Sequence, residues 1–156
     1  MKVLNLNRWM YRGGRPNRVA AVLNRFGVIV WSAGLWPNRA AALEVRGRRT
    51  GRLVSFPLVL VDCQGDRYVV AMLGEGTNWV SNVRAAGGQA VLRHGRREAV
   101  RLEEVDPPAR APILQRYLQV APGGRPHIPV DRHAPLADFE RIAARYPVFR
   151  IHAGST

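Results

Sequence analysis

Residues 42–61 read Ala-Leu-Glu-Val-Arg-Gly-Arg-Arg-Thr-Gly-Arg-Leu-Val-Ser-Phe-Pro-Leu-Val-Leu-Val. The flanks, Ala42 to Val45 and Leu53 to Val61, are short and rich in Val and Leu, which suits strands. Between them Arg46 to Arg52 is punctuated by Gly47 and Gly51, so the chain turns there. The stretch is a hairpin with a basic tip. Further strands follow at similar spacing: Arg67 to Leu73 after the turn Asp62-Cys63-Gln64-Gly65-Asp66, then Ala90 to His94 and Arg97 to Val105 around Gly95-Arg96. Short strands spaced this closely, with turn signals between them, predict a small antiparallel barrel.

Helices flank the strands. Gly74-Glu75-Gly76-Thr77 interrupts the meander, and Asn78 is placed to cap a helix through Ala86 that stops at Gly87-Gly88. Asp106-Pro107-Pro108 opens a helix over 109–120, and a second is expected over 135–145 after the Pro/Gly-rich loop 121–129. The last strand is Val148 to His152. Upstream, Pro16 starts an expected helix to about Ala33, with Val19, Val22, Leu23, Phe26, Ile29 and Val30 at three- and four-residue steps. The expected division is a basic amino-terminal segment, 1–33, and a barrel domain, 34–156.

The net charge is +13 over 156 residues, and it is unevenly placed. Residues 1–43 hold no Asp or Glu and carry +7; residues 44–101 carry +5 and residues 102–156 only +1. The field belongs to the first two-thirds of the chain and suits an anionic partner: a polyanionic ligand, a membrane surface or nucleic acid. All but Lys2 of the 24 basic residues are Arg, which favours planar recognition of phosphate and carboxylate. A GC-rich genome accounts for the Arg-to-Lys ratio but not for the missing acids. An amphipathic, acid-free 1–33 could rest on anionic lipid or pack on the barrel. Organellar leaders share this composition, whereas a secretory leader does not fit, since Asn24 and Arg25 interrupt the apolar stretch. The charge-free run 26–38 is far too short to span a bilayer, so a cytoplasmic protein, peripheral at most, is expected.

Several chemistries lack their residues. There is no Gly-x-Ser-x-Gly elbow, and neither Ser55 nor Ser81 has a suggestively spaced His. Cys63 stands alone in the predicted turn. The histidines His94, His127, His133 and His152 are scattered without metal-ligand spacing. Adjacent Glu103 and Glu104 on a strand point to opposite faces and form no dyad. Two constellations remain. Arg48-Arg49-Thr50-Gly51-Arg52 combines exposed amides, a hydroxyl and guanidinium groups, a composition that holds phosphate; it also reads as a solvated hairpin tip. Asn78-Trp79-Val80-Ser81-Asn82-Val83-Arg84 places Trp79 and Asn82 three apart on one helix face. A Trp beside an Asn can stack on a planar heterocycle and bond its edge; it can equally plug the barrel end.

The order Leu43-Glu-Val-Arg-Gly-Arg-Arg-Thr-Gly-Arg52, Phe56-Pro57-Leu58, Arg67-Tyr-Val-Val70, Trp79-x-x-Asn82-x-Arg84-Ala85 and Tyr146-Pro147-Val148-Phe149 resembles the deazaflavin-dependent nitroreductase family, actinobacterial and related reductases using coenzyme F-420. The resemblance spans about residues 17–151. It implies a mainly β fold with flanking helices, a split β-barrel of the FMN-binding kind. It further implies a cofactor groove in which Arg48, Arg49, Thr50 and Gly51 meet phosphate, Pro57 and Leu58 line the ring, and Trp79 and Asn82 lie close by. Arg49 stands where the family has Lys. Val54 replaces a frequent Arg, leaving Arg52, with Arg84 as a further basic contact, to serve instead. The segment 74–79 is shorter than in nitroimidazole-reducing members, so their substrate preference does not carry over.

The implied function is hydride transfer from reduced F-420 to an electron-poor small molecule: an enone, quinone or nitro compound. The cofactor performs that step and the protein supplies position and shielding. Tyr68, Tyr117 and Tyr146 are the candidate proton donors, with solvent as the alternative. An FMN enzyme on the same barrel, or a non-catalytic basic module for nucleic acid or anionic membrane, are the competing readings. The Trp-x-x-Asn helix argues against the plain basic module, which has no use for it.

Overall fold

A computed structural model describes residues 39–154, so the expected helix over 16–33 and the basic segment 1–33 lie outside the described residues. The hairpin is formed by β1 (Ala40–Arg46) and β2 (Leu53–Val59), paired from Ala40 opposite Val59 to Arg46 opposite Leu53. Then come β3 (Val61–Cys63), β4 (Asp66–Val70), α1 (Asn78–Ala85), β5 (Gln89–Arg93), β6 (Arg97–Glu104), α2 (Ala111–Val120), α3 (Leu136–Ile142) and β7 (Val148–Ala153). The strands form one sheet in the order β2-β1-β5-β6-β7-β4-β3, antiparallel throughout.

The sheet curls because its two edges are consecutive in the chain. The sequence predicts one strand over 53–61; instead it breaks at Leu60, whose N–H donates to the Arg39 carbonyl at 2.7 Å. One side of that break joins the β1 edge and the other joins the β4 edge. Among the described residues no ladder joins the two edge strands, β2 and β3, so the barrel is split. Pro57 lies on the edge strand, where its missing N–H costs no ladder bond.

Alternation sorts the side chains into two cores. Leu43, Phe56, Val69, Leu92, Val100 and Phe149 fill the barrel interior. Tyr68, Val70 and Val148 face the other way and pack with Leu114, Tyr117 and Phe139 beneath α2 and α3. Cys63, expected in a surface turn, is in β3 and packs against this outer core. The remaining differences are at boundaries. Single helical turns at Pro107–Ala109 and Ala143–Arg145 separate from α2 and α3 what the sequence reads as continuous helices. Among the described residues no helix is long and apolar enough to cross a membrane.

Helix α1 seats Val80 and Val83 in the barrel interior. Its N-cap is Thr77, not Asn78; the Thr77 hydroxyl donates to the Gly74 carbonyl at 2.6 Å, and Asn78 falls in the first turn with its side-chain amide not used for capping. The helix stops where Gly87 and Gly88 adopt φ of 64° and 84°. Gly88 then runs directly under β6: its carbonyl accepts from Leu102 N–H at 2.7 Å, and a Cβ there would meet the Leu102 oxygen at 2.4 Å. Gly88→Ala is therefore expected to cost ~1–3 kcal/mol of stability from backbone strain and crowding together. A denaturant midpoint equal to that of the unsubstituted protein would contradict it.

Candidate active site at the barrel mouth

The tip of the β1–β2 hairpin is fixed by its own backbone. Gly47 N–H donates to Arg52 O at 2.7 Å, and Gly51 N–H donates to Gly47 O at 2.9 Å with Gly51 at φ 72°. Arg52 N–H donates to the Thr50 hydroxyl at 3.2 Å, and Arg46 Nη1 reaches the Gly51 carbonyl at 2.5 Å. Helix α1 holds the loop from the side. The Asn82 Oδ1 accepts Arg48 N–H at 3.1 Å and Arg48 Nη1 at 2.8 Å, and the Asn78 Oδ1 accepts Nη1 at 2.8 Å.

These bonds leave a definite remainder. Among the described residues, the consecutive N–H groups of Arg49 and Thr50 meet no acceptor, and the exposed Arg49 and Arg52 guanidinium groups meet no carboxylate. Two adjacent amides with two fixed positive charges make a site for phosphate or carboxylate. The donor set fits the anionic part of a cofactor.

Trp79 stands on the same helix, half-buried at the end of the barrel. Its ring stacks on Phe56, centroids 5.2 Å apart at 28°, and tilts against Phe149 at 5.7 Å. Leu58 points inward beside this cluster, while Pro57 lies opposite Ala42 on the other face of the sheet. The structure thus brings Arg48, Arg49, Thr50, Gly51, Arg52, Asn82 and Trp79 to one end of the barrel. Trp79→Phe is expected to cost ~1 kcal/mol of stability through lost ring contact. A denaturation midpoint equal to that of the unsubstituted protein would show the indole contacts with Phe56 and Phe149 to be dispensable.

Other predicted residues are placed elsewhere. Arg84 is enclosed by carboxylates: its Nε and Nη2 bond Glu104 at 2.9 and 2.6 Å, and Nη1 and Nη2 bond Glu75 at 2.9 and 3.1 Å. Glu104 and Glu75 push its pKa up, and Arg84 holds the Glu75 carboxyl below the usual range. Arg84 therefore brings no uncompensated charge to the loop. The three tyrosines belong to the outer core, across the sheet from Trp79. Burial pushes the Tyr117 pKa up, and its hydroxyl donates to Met72 Sδ at 3.3 Å. The Tyr146 hydroxyl donates to His127 O at 3.1 Å, and Tyr68 lies under the Arg150 guanidinium at 5.9 Å.

Two features escape a reading by motif. Asn78 is a partner of Arg48 and not a cap; its spacing of four from Asn82 is the signal, because that spacing stacks two amides on one helix face. Glu44, only 7% exposed, is held by Arg97 Nη2 at 2.9 Å and Arg93 Nη1 at 3.4 Å. It removes two more arginines from the pool of free charge.

Residues 20–136, which include the loop and α1, match the model of the F-420H(2)-dependent quinone reductase family. The chain belongs to this family. As an F-420H(2)-dependent quinone reductase family member it is an oxidoreductase that uses coenzyme F-420, in keeping with the resemblance read from the loop and the Trp-x-x-Asn helix. No curated protein matches it at a significant level. Among solved structures, the conserved hypothetical protein Rv2991 from Mycobacterium tuberculosis superposes with a TM-score of 0.52 at 12% identity, covering 84% of this chain and 80% of that one. A protein related to general stress protein 26, of the pyridoxinephosphate oxidase family, from Clostridium acetobutylicum gives 0.50 at 10% identity over 83% and 84%. An F-420-H2 dependent reductase, FDR-A, gives 0.47 at 18% identity over 74% and 95%. At these identities the first two likenesses speak for the fold alone, and the third superposes too loosely to add to them.

Proposed function

We propose that this family member reduces a quinone to the quinol, with reduced F-420 held across the end of the barrel. The observation that carries the reading is the pair of amides at Arg49 and Thr50 that meet no acceptor among the described residues, flanked by the Arg49 and Arg52 guanidinium groups and set beside the Trp79 helix. When bound, the reduced deazaflavin supplies the hydride. The chain's own residues bind and orient. Arg49, Arg52 and the loop amides hold the anionic end, Gly51 lets the loop turn tightly enough to present it, and Trp79 with Leu58 gives the planar ring an apolar wall that excludes water.

The proton that completes the quinol comes from solvent. Tyr117 and Tyr146 direct their hydroxyl protons to Met72 and His127, and neither lies on the Trp79 side of the sheet. Enones and nitro compounds are the other acceptors to which this chemistry applies. The test is fluorescence titration with F-420, with FMN as competitor, followed by turnover of reduced F-420 with quinone, enone and nitroaromatic acceptors. Tight F-420 binding resistant to FMN, and fastest turnover with the quinone, are the expected results. Equal or better FMN affinity would overturn the cofactor assignment, and preference for another acceptor would overturn the substrate assignment.

A further inference from the structure

We propose that Asn82 is a positioning residue of the anion site and that Arg48 is the strut through which it acts, not a ligand of the cofactor; this rests on the cofactor reading above. Asn82 is 3% exposed and sits one turn into α1. Both groups that approach its amide from Arg48 are donors, so the oxygen must be the atom presented to them. That oxygen has two lone-pair directions, and both are taken, by Arg48 N–H at 3.1 Å and Nη1 at 2.8 Å. That atom has no capacity left to bond a bound molecule, so a ligand role would fall to the Asn82 Nδ2 donors, which Asn82→Asp removes.

Arg48 is committed to the protein through one guanidinium nitrogen, Nη1. The two N–H bonds of its Nη1 go to Asn82 Oδ1 and Asn78 Oδ1, each at 2.8 Å. One side chain thus ties the loop to the first and second turns of α1. The bond from Gly47 N–H to Arg52 O closes the loop's base. With one amide pinned to the helix and the base closed, the segment between has little freedom, and the Arg49 and Thr50 amides stay in place before any anion arrives. Such preorganisation lowers the ordering cost of binding. The loop divides its labour: Arg48 faces the protein, while Arg49 and Arg52 face the ligand.

The experiment compares Asn82→Leu, Asn82→Asp, Arg48→Met and the double variant Asn82→Leu/Arg48→Met. Affinity for F-420 is read by fluorescence, and amide hydrogen exchange over residues 48–52 is read in the cofactor-free protein. Asn82→Leu is expected to weaken F-420 binding by about tenfold, the value of one charge-assisted bond, and to speed exchange of the loop amides. Asn82→Asp keeps the acceptor and is expected to rescue both, which a ligand role does not allow, since a carboxylate facing an anionic cofactor repels it. The double variant is expected to bind no more weakly than either single variant, because both remove the same strut. The proposal is overturned if Asn82→Asp binds weakest, if the two single effects multiply, or if loop exchange is unchanged in Asn82→Leu. Failure of the unsubstituted protein to bind F-420 would refute the cofactor reading, and the exchange arm would still decide whether the strut exists.

Discussion

Arg110→Met is expected to lower the unfolding free energy by about 3–5 kcal/mol, because three carbonyl oxygens lose a charged donor at roughly 1–3 kcal/mol each. Arg110 is 3% exposed and spends its guanidinium on four acceptors. Its Nε donates to Val105 O at 2.7 Å, Nη1 to Ala143 O at 3.1 Å and Tyr146 O at 3.4 Å, and Nη2 to Glu104 at 3.1 Å. These acceptors end β6, close the turn after α3 and lead into β7. Methionine fills much of the volume but leaves three carbonyl oxygens without that donor. Lysine keeps the charge without the planar fork, so Arg110→Lys should recover little. Urea unfolding of the three proteins checks this; a Met variant within 1 kcal/mol of the original, by the ordinary scale of surface substitutions, would show the fork to be dispensable.

Replacing Arg49 and Arg52 together with Ala is expected to weaken F-420 binding by roughly two to four orders of magnitude, at ~1.5–3 kcal/mol for each charge-assisted contact. Their exposure makes the loss specific to binding: neither side chain has a carboxylate partner among the described residues, so stability should move little. The salt dependence provides a second signature. Affinity of the unsubstituted protein should fall as ionic strength rises, and the double variant should show a flatter response. Retained affinity would shift the anion to the unengaged edge of Arg48, in conflict with its role as a strut.

Much of the barrel is legible in the sequence because its signals are local. The Gly47 and Gly51 pair marks the hairpin, Gly87-Gly88 marks the end of α1, and the period of two assigns Glu103 and Glu104 to opposite faces, where one meets His152 and the other Arg84. What stays hidden is non-local. Nothing in Leu53 to Val61 announces the break at Leu60, because its N–H is turned aside to the carbonyl of Arg39, just ahead of β1. The tyrosines read as polar groups near a site until the sheet puts them on its far side. Charge misleads most. A count of arginines cannot tell Arg49 from Arg84, since the carboxylates that neutralise an arginine lie far along the chain; Glu104 stands 20 residues from Arg84, and Glu44 stands 53 from Arg97.

The position of β7 has a consequence for how the molecule is made. It is the last strand in the described chain, yet it lies between β6 and β4. Until it arrives, β1, β2, β5 and β6 can zip together, but β3 and β4 have no ladder to join. Phe149 on β7 also supplies one side of the Trp79 cluster. The early strands must therefore wait, with their apolar faces open, for a segment made roughly 80 residues later, and long-range pairing of this kind is slow and prone to aggregation. On a nascent chain the basic hairpin has its pairing partner before β7 exists, whereas Phe149, one side of the Trp79 cluster, does not yet. A chain cut short before β7 would lack Val148, Phe149 and Ile151 from its two cores, and so leave the apolar faces of both uncovered.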